Sequence, residues 1–196
     1  MANKYVLALL AAFAISIPAF AADTGGYLVG MFGQTKIKDV DTTGLNNVSL
    51  DDTSTGIKLG GGYAFNRNFA VEGAYVDLGK AKVTGTFGGN NASETIKASG
   101  LVVTAVGMVP INQQFSLLGR LGLINATVKA DASVGNASAS VKSTDMKTTF
   151  GIGVAYSFTQ QFAVRADYDV YQKLGDSATT GESDVDMISI GVVYKF

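Results

Sequence analysis

The sequence has no cysteine, no histidine and no tryptophan, and only 2 prolines in 196 residues. Without cysteine there is no disulfide framework and no thiolate metal site. Without histidine the commonest general base and metal ligand is missing, so a Ser-His arrangement is impossible. A Ser-Lys or carboxylate mechanism stays formally open, but no motif points to one. The chain therefore reads as a non-enzyme that needs no cofactor. Charge of one sign is lacking too: 15 Lys plus Arg stand against 16 Asp plus Glu, a net charge of −1. That balance offers no basic surface for a nucleic acid. Long internal apolar runs are also absent. The most apolar later stretch, Leu101 to Ile111, is interrupted by Thr104 and Gly107 and stopped at Pro110. A membrane crossing by the body of this chain would have to be a closed barrel, because backbone groups in lipid need internal partners.

What is present begins with an address. Lys4 supplies a positive start, Tyr5 to Ile17 is almost wholly apolar, Pro18 interrupts it, and Ala19-Phe20-Ala21 has the small-x-small form of a cleavage site. The apolar run is too short for a spanning helix of about 20 residues. Residues 1–21 are expected to be a signal peptide cleaved after Ala21, leaving 22–196 as one domain.

That domain alternates with period two. Ile188, Ile190, Val192, Tyr194 and Phe196 share one face, with Ser189, Gly191, Val193 and Lys195 on the other. Phe150, Ile152, Val154, Tyr156 and Phe158 repeat the pattern, as do Phe162, Val164, Ala166, Tyr168 and Val170. Such alternation predicts strands between two environments. Eight segments qualify: 26–37, 54–65, 69–80, 98–109, 115–128, 146–158, 162–174 and 184–196. The connections at 66–68, 110–114 and 159–161 are short. Those around 38–53, 81–97, 129–145 and 175–183 are long, polar and rich in small residues, and are expected to be loops. Short turns alternating with long loops suit an antiparallel up-and-down barrel with both ends in the periplasm. Tyr63-Ala64-Phe65 followed by Phe69-Ala70-Val71-Glu72 is echoed 93 residues later by Tyr156-Ser157-Phe158 and Phe162-Ala163-Val164-Arg165, as two hairpins of one geometry would be.

Alternation alone does not say which face points outward. A soluble lipocalin-type barrel keeps apolar residues inside, whereas a membrane barrel turns them to lipid. Three features favour the membrane. The less apolar face is crowded with small residues (Gly60, Gly62, Ala64, Gly151, Gly153, Ala155, Gly191), which suits a narrow lumen. Charges recur on that face: Lys58, Glu72, Arg120, Arg165, Asp167 and Asp169, with Lys195 near the end. Aromatics flank the short turns on the apolar face (Tyr63, Phe65, Phe69, Phe115, Tyr156, Phe158, Phe162, Tyr194, Phe196), as a periplasmic girdle would. Val164 is therefore expected to touch lipid and Ala163 the lumen. Glu72 and Arg165 fall at equivalent sites of the echoed hairpins, four strands apart, and should face each other across the interior. Buried charges need partners, so Glu72 is expected to pair with Arg165, Arg120 or both.

Gly153-Val154-Ala155-Tyr156-Ser157-Phe158, then Arg165-Ala166-Asp167-Tyr168, and the ending Ile188 to Phe196 resemble the OmpA-like and opacity-porin family of outer-membrane barrels. The resemblance implies an eight-stranded transmembrane β-barrel in the outer membrane of a Gram-negative bacterium. It implies contact with outer-membrane lipid and lipopolysaccharide, and roles in envelope integrity and adhesion. The polar Ser189, Gly191, aromatic Tyr194 and terminal Phe196 resemble the family's signal to the outer-membrane insertion machinery. Larger members add a peptidoglycan-binding domain, which this ending at Phe196 does not imply. The family often carries a further Lys on the fourth strand. Val106 stands there, which weakens any carry-over of a switchable salt-bridge gate. Surface interaction is the favoured function, with a narrow pore for ions or small solutes and a soluble binding barrel as alternatives. Recognition of a host or cell-surface ligand would reside in the loops, and the first offers Leu45, Val48 and Leu50 beside Asp41, Asp51 and Asp52. Residues 84–95 and 131–144, mostly Gly, Ala, Ser, Thr and Asn, should be mobile.

Overall fold

The computed structural model describes residues 24–38, 46–87, 90–135, 137–176 and 181–196. These form strands β1 (Gly25–Ile37), β2 (Asn46–Asp51), β3 (Thr53–Ala64), β4 (Phe69–Phe87), β5 (Asn90–Pro110), β6 (Phe115–Val134), β7 (Ala137–Ser157), β8 (Phe162–Asp176) and β9 (Gly181–Lys195). β2 and β3 both pair with β4 and continue one another across Asp52, so nine segments make eight barrel strands. Every pairing is antiparallel, and β1 with β9 together with β4 with β5 close the sheet on itself.

Register fixes the barrel's shape. Tracing partners once around leads from Tyr27 through Gly62, Glu72, Thr104, Gly122, Thr149, Tyr171 and Val185 back to β1 at Ile37, ten residues further along. That stagger obliges the strands to tilt, by about 40° for eight strands. It leaves an interior only wide enough for side chains.

Alternate residues divide as a membrane barrel requires. Leu28, Phe32, Leu59, Leu101, Val103, Leu121, Ile152, Ile188 and Ile190 point outward and are exposed, whereas Tyr27, Val29, Met31, Ala163 and Val193 are buried. Ala163 faces the lumen and Val164 the outside. The lipocalin arrangement is thereby excluded. At the periplasmic edge the aromatics pack ring on ring: Phe115 with Tyr156, Tyr156 with Phe158, Phe162 with Tyr194, and Tyr194 with Phe196 at 4.8–5.3 Å between centroids. The turns beneath them are held by side chains. Asn66 Oδ1 accepts the Asn68 and Phe69 N–H groups, and Asn112 Oδ1 accepts those of Gln114 and Phe115.

The expectation of four long loops is corrected. Much of 81–97 and 129–145 is strand, because β4–β5 pairing runs to Phe87↔Asn90 and β6–β7 pairing to Val134↔Ala137. Part of 38–53 is β2. Residues 84–87, 90–95, 131–134 and 137–144, expected to be mobile loops, are thus ladders. Their Ser and Thr content suits a strand face, and alternate positions Ala81, Val83, Ala92, Ala98, Val128 and Ala130 are buried. β7 pairs with β8 only below Thr149. The result is a five-segment wall, β2, β4, β5, β6 and β7, standing well above the apolar band on one side of the barrel.

One bulge decides which way this wall faces. Between Asp77 and Lys80 the β4 register slips by one residue. Gly79 takes φ +76°, a conformation that glycine adopts without strain, and its N–H donates to Asp77 Oδ1 at 2.8 Å. Below it the even residues Val76 and Leu78 are buried; above it the odd residues Ala81 and Val83 are. Had β4 run on as a regular strand without the bulge, its even residues Lys80 and Lys82 would point inward.

Candidate functional site: the charged centre of the lumen

The barrel interior is layered. At the periplasmic end Tyr27, Val29, Met31, Ala70, Val106, Leu118, Ala163 and Val193 form one apolar cluster. At the outer end Ile37, Val76, Leu78, Ala98, Val102, Ile124, Tyr171, Leu174, Val185 and Met187 belong to a second. Between them the structure brings together all six charged residues expected to face the lumen. Lys58, Glu72, Arg120, Arg165, Asp167 and Asp169 are each 2–5% exposed. Lys195, by contrast, lies exposed at the rim.

Arg165 on β8 grips Glu72 on β4 with both terminal nitrogens: Nη1 meets Oε1, and Nη2 donates to Oε2 at 3.1 Å. Its Nε donates to Asp167 Oδ2 at 3.1 Å. Tyr27 on β1 donates its hydroxyl to Glu72 Oε1 at 2.8 Å. Arg120 on β6 serves the other carboxylates, with Nη2 on Asp169 Oδ1 at 2.7 Å and Nη1 paired with Asp167 Oδ2. Lys58 on β3 reaches Asp169 at 2.5 Å and Asp167 at 3.4 Å. Of the two partners expected for Glu72, Arg165 is the one in contact; Arg120 goes to the aspartates. Tyr27 is a member that reading charges alone overlooks. Its signal was an aromatic on the inward parity of β1.

Three cations and three carboxylates give a neutral cluster in which every charge has an opposite partner, the condition for keeping charge out of water. Asp167 Oδ1 alone among the cluster's carboxylate oxygens is left without a hydrogen bond. Glycines make the room. A Cβ on Gly153 would run into Asp167 Oδ1 and come within 2.9 Å of Ala166 O, and one on Gly62 would lie 2.5 Å from the Tyr27 ring. The space left beside the cluster, among Lys58, Glu72, Thr104, Arg120, Thr149 and Asp169, is about 10 Å³, room for one water.

The remaining candidates are dispersed. Ser189 and Gly191 face the lumen, buried, whereas Tyr194 and Phe196 face outward in the girdle. Phe196 donates its N–H to Gly26 O at 3.1 Å, tying the end of the chain to its first strand. Asp41 and Leu45 lie outside the described residues, as do the side chains of Val48 and Leu50. Asp51 is exposed, and Asp52 pairs with Lys36 at 3.7 Å. Above the apolar band Asp186 accepts the Tyr168 hydroxyl at 2.6 Å and pairs with Lys38 at 2.6 Å. The hydrogen bond from Lys38 to the Asp186 carboxylate holds that ammonium above its ordinary pKa.

Known proteins share this construction. The sequence matches the family described as outer membrane protein beta-barrel domain over residues 7–196. Outer membrane protein A of Shigella flexneri is 31% identical over 192 residues, covering 95% of this chain and 53% of that protein. That of Salmonella typhi is 29% identical with the same coverage. The chain spans about half the length of the curated relatives it matches. Among solved structures, Ail, the attachment invasion locus protein of Yersinia pestis, superposes with a TM-score of 0.56 at 21% identity, over 88% of this chain and 99% of that one. Neisserial surface protein A gives 0.57 at 15%, over 88% and 97%. These likenesses are of fold. With alternate apolar residues turned outward, a family match over residues 7–196 and curated relatives in Shigella flexneri and Salmonella typhi, the chain belongs to the outer membrane protein β-barrel domain family and resides in the outer membrane of a Gram-negative cell.

Proposed function

We propose that this barrel is a non-catalytic, closed membrane anchor that serves envelope integrity and attachment through the wall standing above the membrane. The observation that carries the reading is the lumen. Apolar layers at both ends and a paired charge cluster between them leave no continuous path for ions. The wall supports it further, since β4 to β7 extend well past the apolar band and present a surface beyond the membrane. Ail, whose name records attachment and invasion, shares the architecture. Purified protein in a planar bilayer should give no unitary current steps. Cells expressing a variant with the β4–β5 and β6–β7 hairpins cut back to the apolar band should keep the barrel but lose adhesion to host matrix. Discrete conductance together with unaltered adhesion would replace this reading with the narrow pore.

Export and insertion belong to the same proposal. Residues 1–21 act as a signal peptide removed after Ala21, and the last strand presents Phe196 to the insertion machinery. Deleting Phe196 should reduce insertion in cells far more than refolding into detergent. Equal losses in both assays would leave Phe196 only its place in the girdle.

A further inference from the structure

Four lysines stand in a row across the outer wall. Lys80 on β4 is the ladder partner of Lys97 on β5. Lys97 is the partner of Lys129 on β6, and Lys129 that of Lys142 on β7. All four are exposed on the lipid-side parity, as is Lys82 two residues beyond Lys80. Directly opposed side chains on neighbouring strands lie about 5 Å apart at Cβ, and like charges so placed repel. Four ammonium groups thus fall within about 15 Å. None of the four forms an ion pair with a carboxylate of the described residues. Lys36, Lys38 and Lys147 each do, with Asp52, Asp186 and Glu182. Asp77 and Asp131 flank the row on its own face; Asp77 is engaged by the Gly79 N–H. The bulge at Gly79 turns Lys80 outward to complete the row.

We infer that this row is a binding site for the phosphates of a tall, phosphorylated-saccharide lipid headgroup of the outer leaflet, the chemistry of lipopolysaccharide. The face below the row is continuous with the apolar band: Lys97 is followed down β5 by Ser99, Leu101 and Val103, and Lys129 down β6 by Asn125 and Leu123. A lipid whose chains cover Leu101, Val103 and Leu123 sets its headgroup on the lysines. Height selects the headgroup. With about 3.3 Å per residue and a tilt near 40°, Lys97 sits about 10 Å and Lys129 about 15 Å above the last apolar residue of its strand. A phospholipid headgroup layer reaches only about 5–8 Å beyond the hydrocarbon, so a phosphorylated oligosaccharide spans the row where a simple phosphodiester cannot. Phosphate oxygens between the ammonium groups turn a repulsive rung into a bridged one.

The test uses the full barrel in neutral detergent micelles, titrated with lipopolysaccharide and with the same lipopolysaccharide after enzymatic removal of its phosphates. The intact protein should bind the phosphorylated form at least about tenfold more tightly, since each lysine near an anionic surface contributes roughly fivefold. A K80Q/K97Q/K129Q/K142Q variant should bind both forms at the weaker level, and the corresponding four-arginine variant should retain the preference. If phosphate removal leaves binding to the intact protein unchanged, a measurement that depends on no variant, the site is not a phosphate site. A glutamine variant that keeps the preference overturns the assignment to these lysines. A soluble sulfated oligosaccharide that binds through the lysines while lipid phosphate makes no difference overturns it in favour of a glycan partner.

Discussion

Arg165→Met is expected to destabilise the barrel by about 3–5 kcal/mol, the range for removing one partner of a buried ion pair. The loss is large because of what remains. Arg165 supplies Glu72 with both of its guanidinium bonds, and afterwards that carboxylate keeps only the Tyr27 hydroxyl in a site sealed by two apolar layers. Asp167 fares better, since Arg120 and Lys58 still reach it. Equilibrium urea unfolding in lipid vesicles measures the change. Glu72→Gln with Arg165→Met should cost less than the sum of the two single changes, with a coupling of about 1–3 kcal/mol. Zero coupling would mean that each charge is separately hydrated and that the lumen is wetter than its packing indicates. Exchanging the charges, Glu72→Lys with Arg165→Glu, should restore only part of the stability, because a carboxylate at 165 would lie against Asp167.

Ile190→Arg is expected to cost about 2–4 kcal/mol, the depth-dependent penalty for a cation at the lipid-facing midplane. Ile190 is exposed on the outer face, four residues from Tyr194 in the girdle and four from Asp186 above the band. Val164 also faces outward but follows Phe162 directly on its face, so Val164→Arg should cost only about 0–1 kcal/mol, its guanidinium reaching the interface. Unfolding both variants in vesicles separates two ideas. A gradient from Ile190 to Val164 reports membrane depth. Equal, small effects at both would mean that the outer apolar face does not meet lipid.

The barrel, its strand order and the facing of most strands were legible in the sequence, because lipid and a narrow lumen impose opposite demands on alternate residues. The pairing of Glu72 with Arg165 followed from the same logic: two charges at matching sites of echoed hairpins have nowhere to go but toward each other. The upper wall was not legible. Ser, Thr, Ala and Asn around 84–95 and 131–144 carry the composition of loops, and above the membrane no lipid enforces a sharp contrast between faces. Only the alternation of Ala and Val, weak against that background, marked them as strand. The lysine row was hidden for another reason. Lys80 and Lys97 come together only through a pairing register, and Lys80 faces outward only through the bulge at Gly79. A bulge shifts parity without a strong mark in the residue string, since a glycine in a strand has several readings. The division of labour among the carboxylates, with Arg120 taking the aspartates, likewise depends on barrel stagger rather than on any single strand.

The ladder between β1 and β9 joins Tyr27 to Lys195 and Ile37 to Val185, the two ends of the folded chain. All other neighbouring strands around the ring are consecutive or nearly so in the chain. This seam alone spans almost the whole polypeptide. Until the ninth segment exists, the first has a bare edge of amide and carbonyl groups that neither water-free lipid nor any other strand can satisfy. Ring closure is therefore the last and least divisible step of assembly. A barrel missing either end strand would carry two unpaired edges into lipid, so no partial ring can satisfy its own backbone.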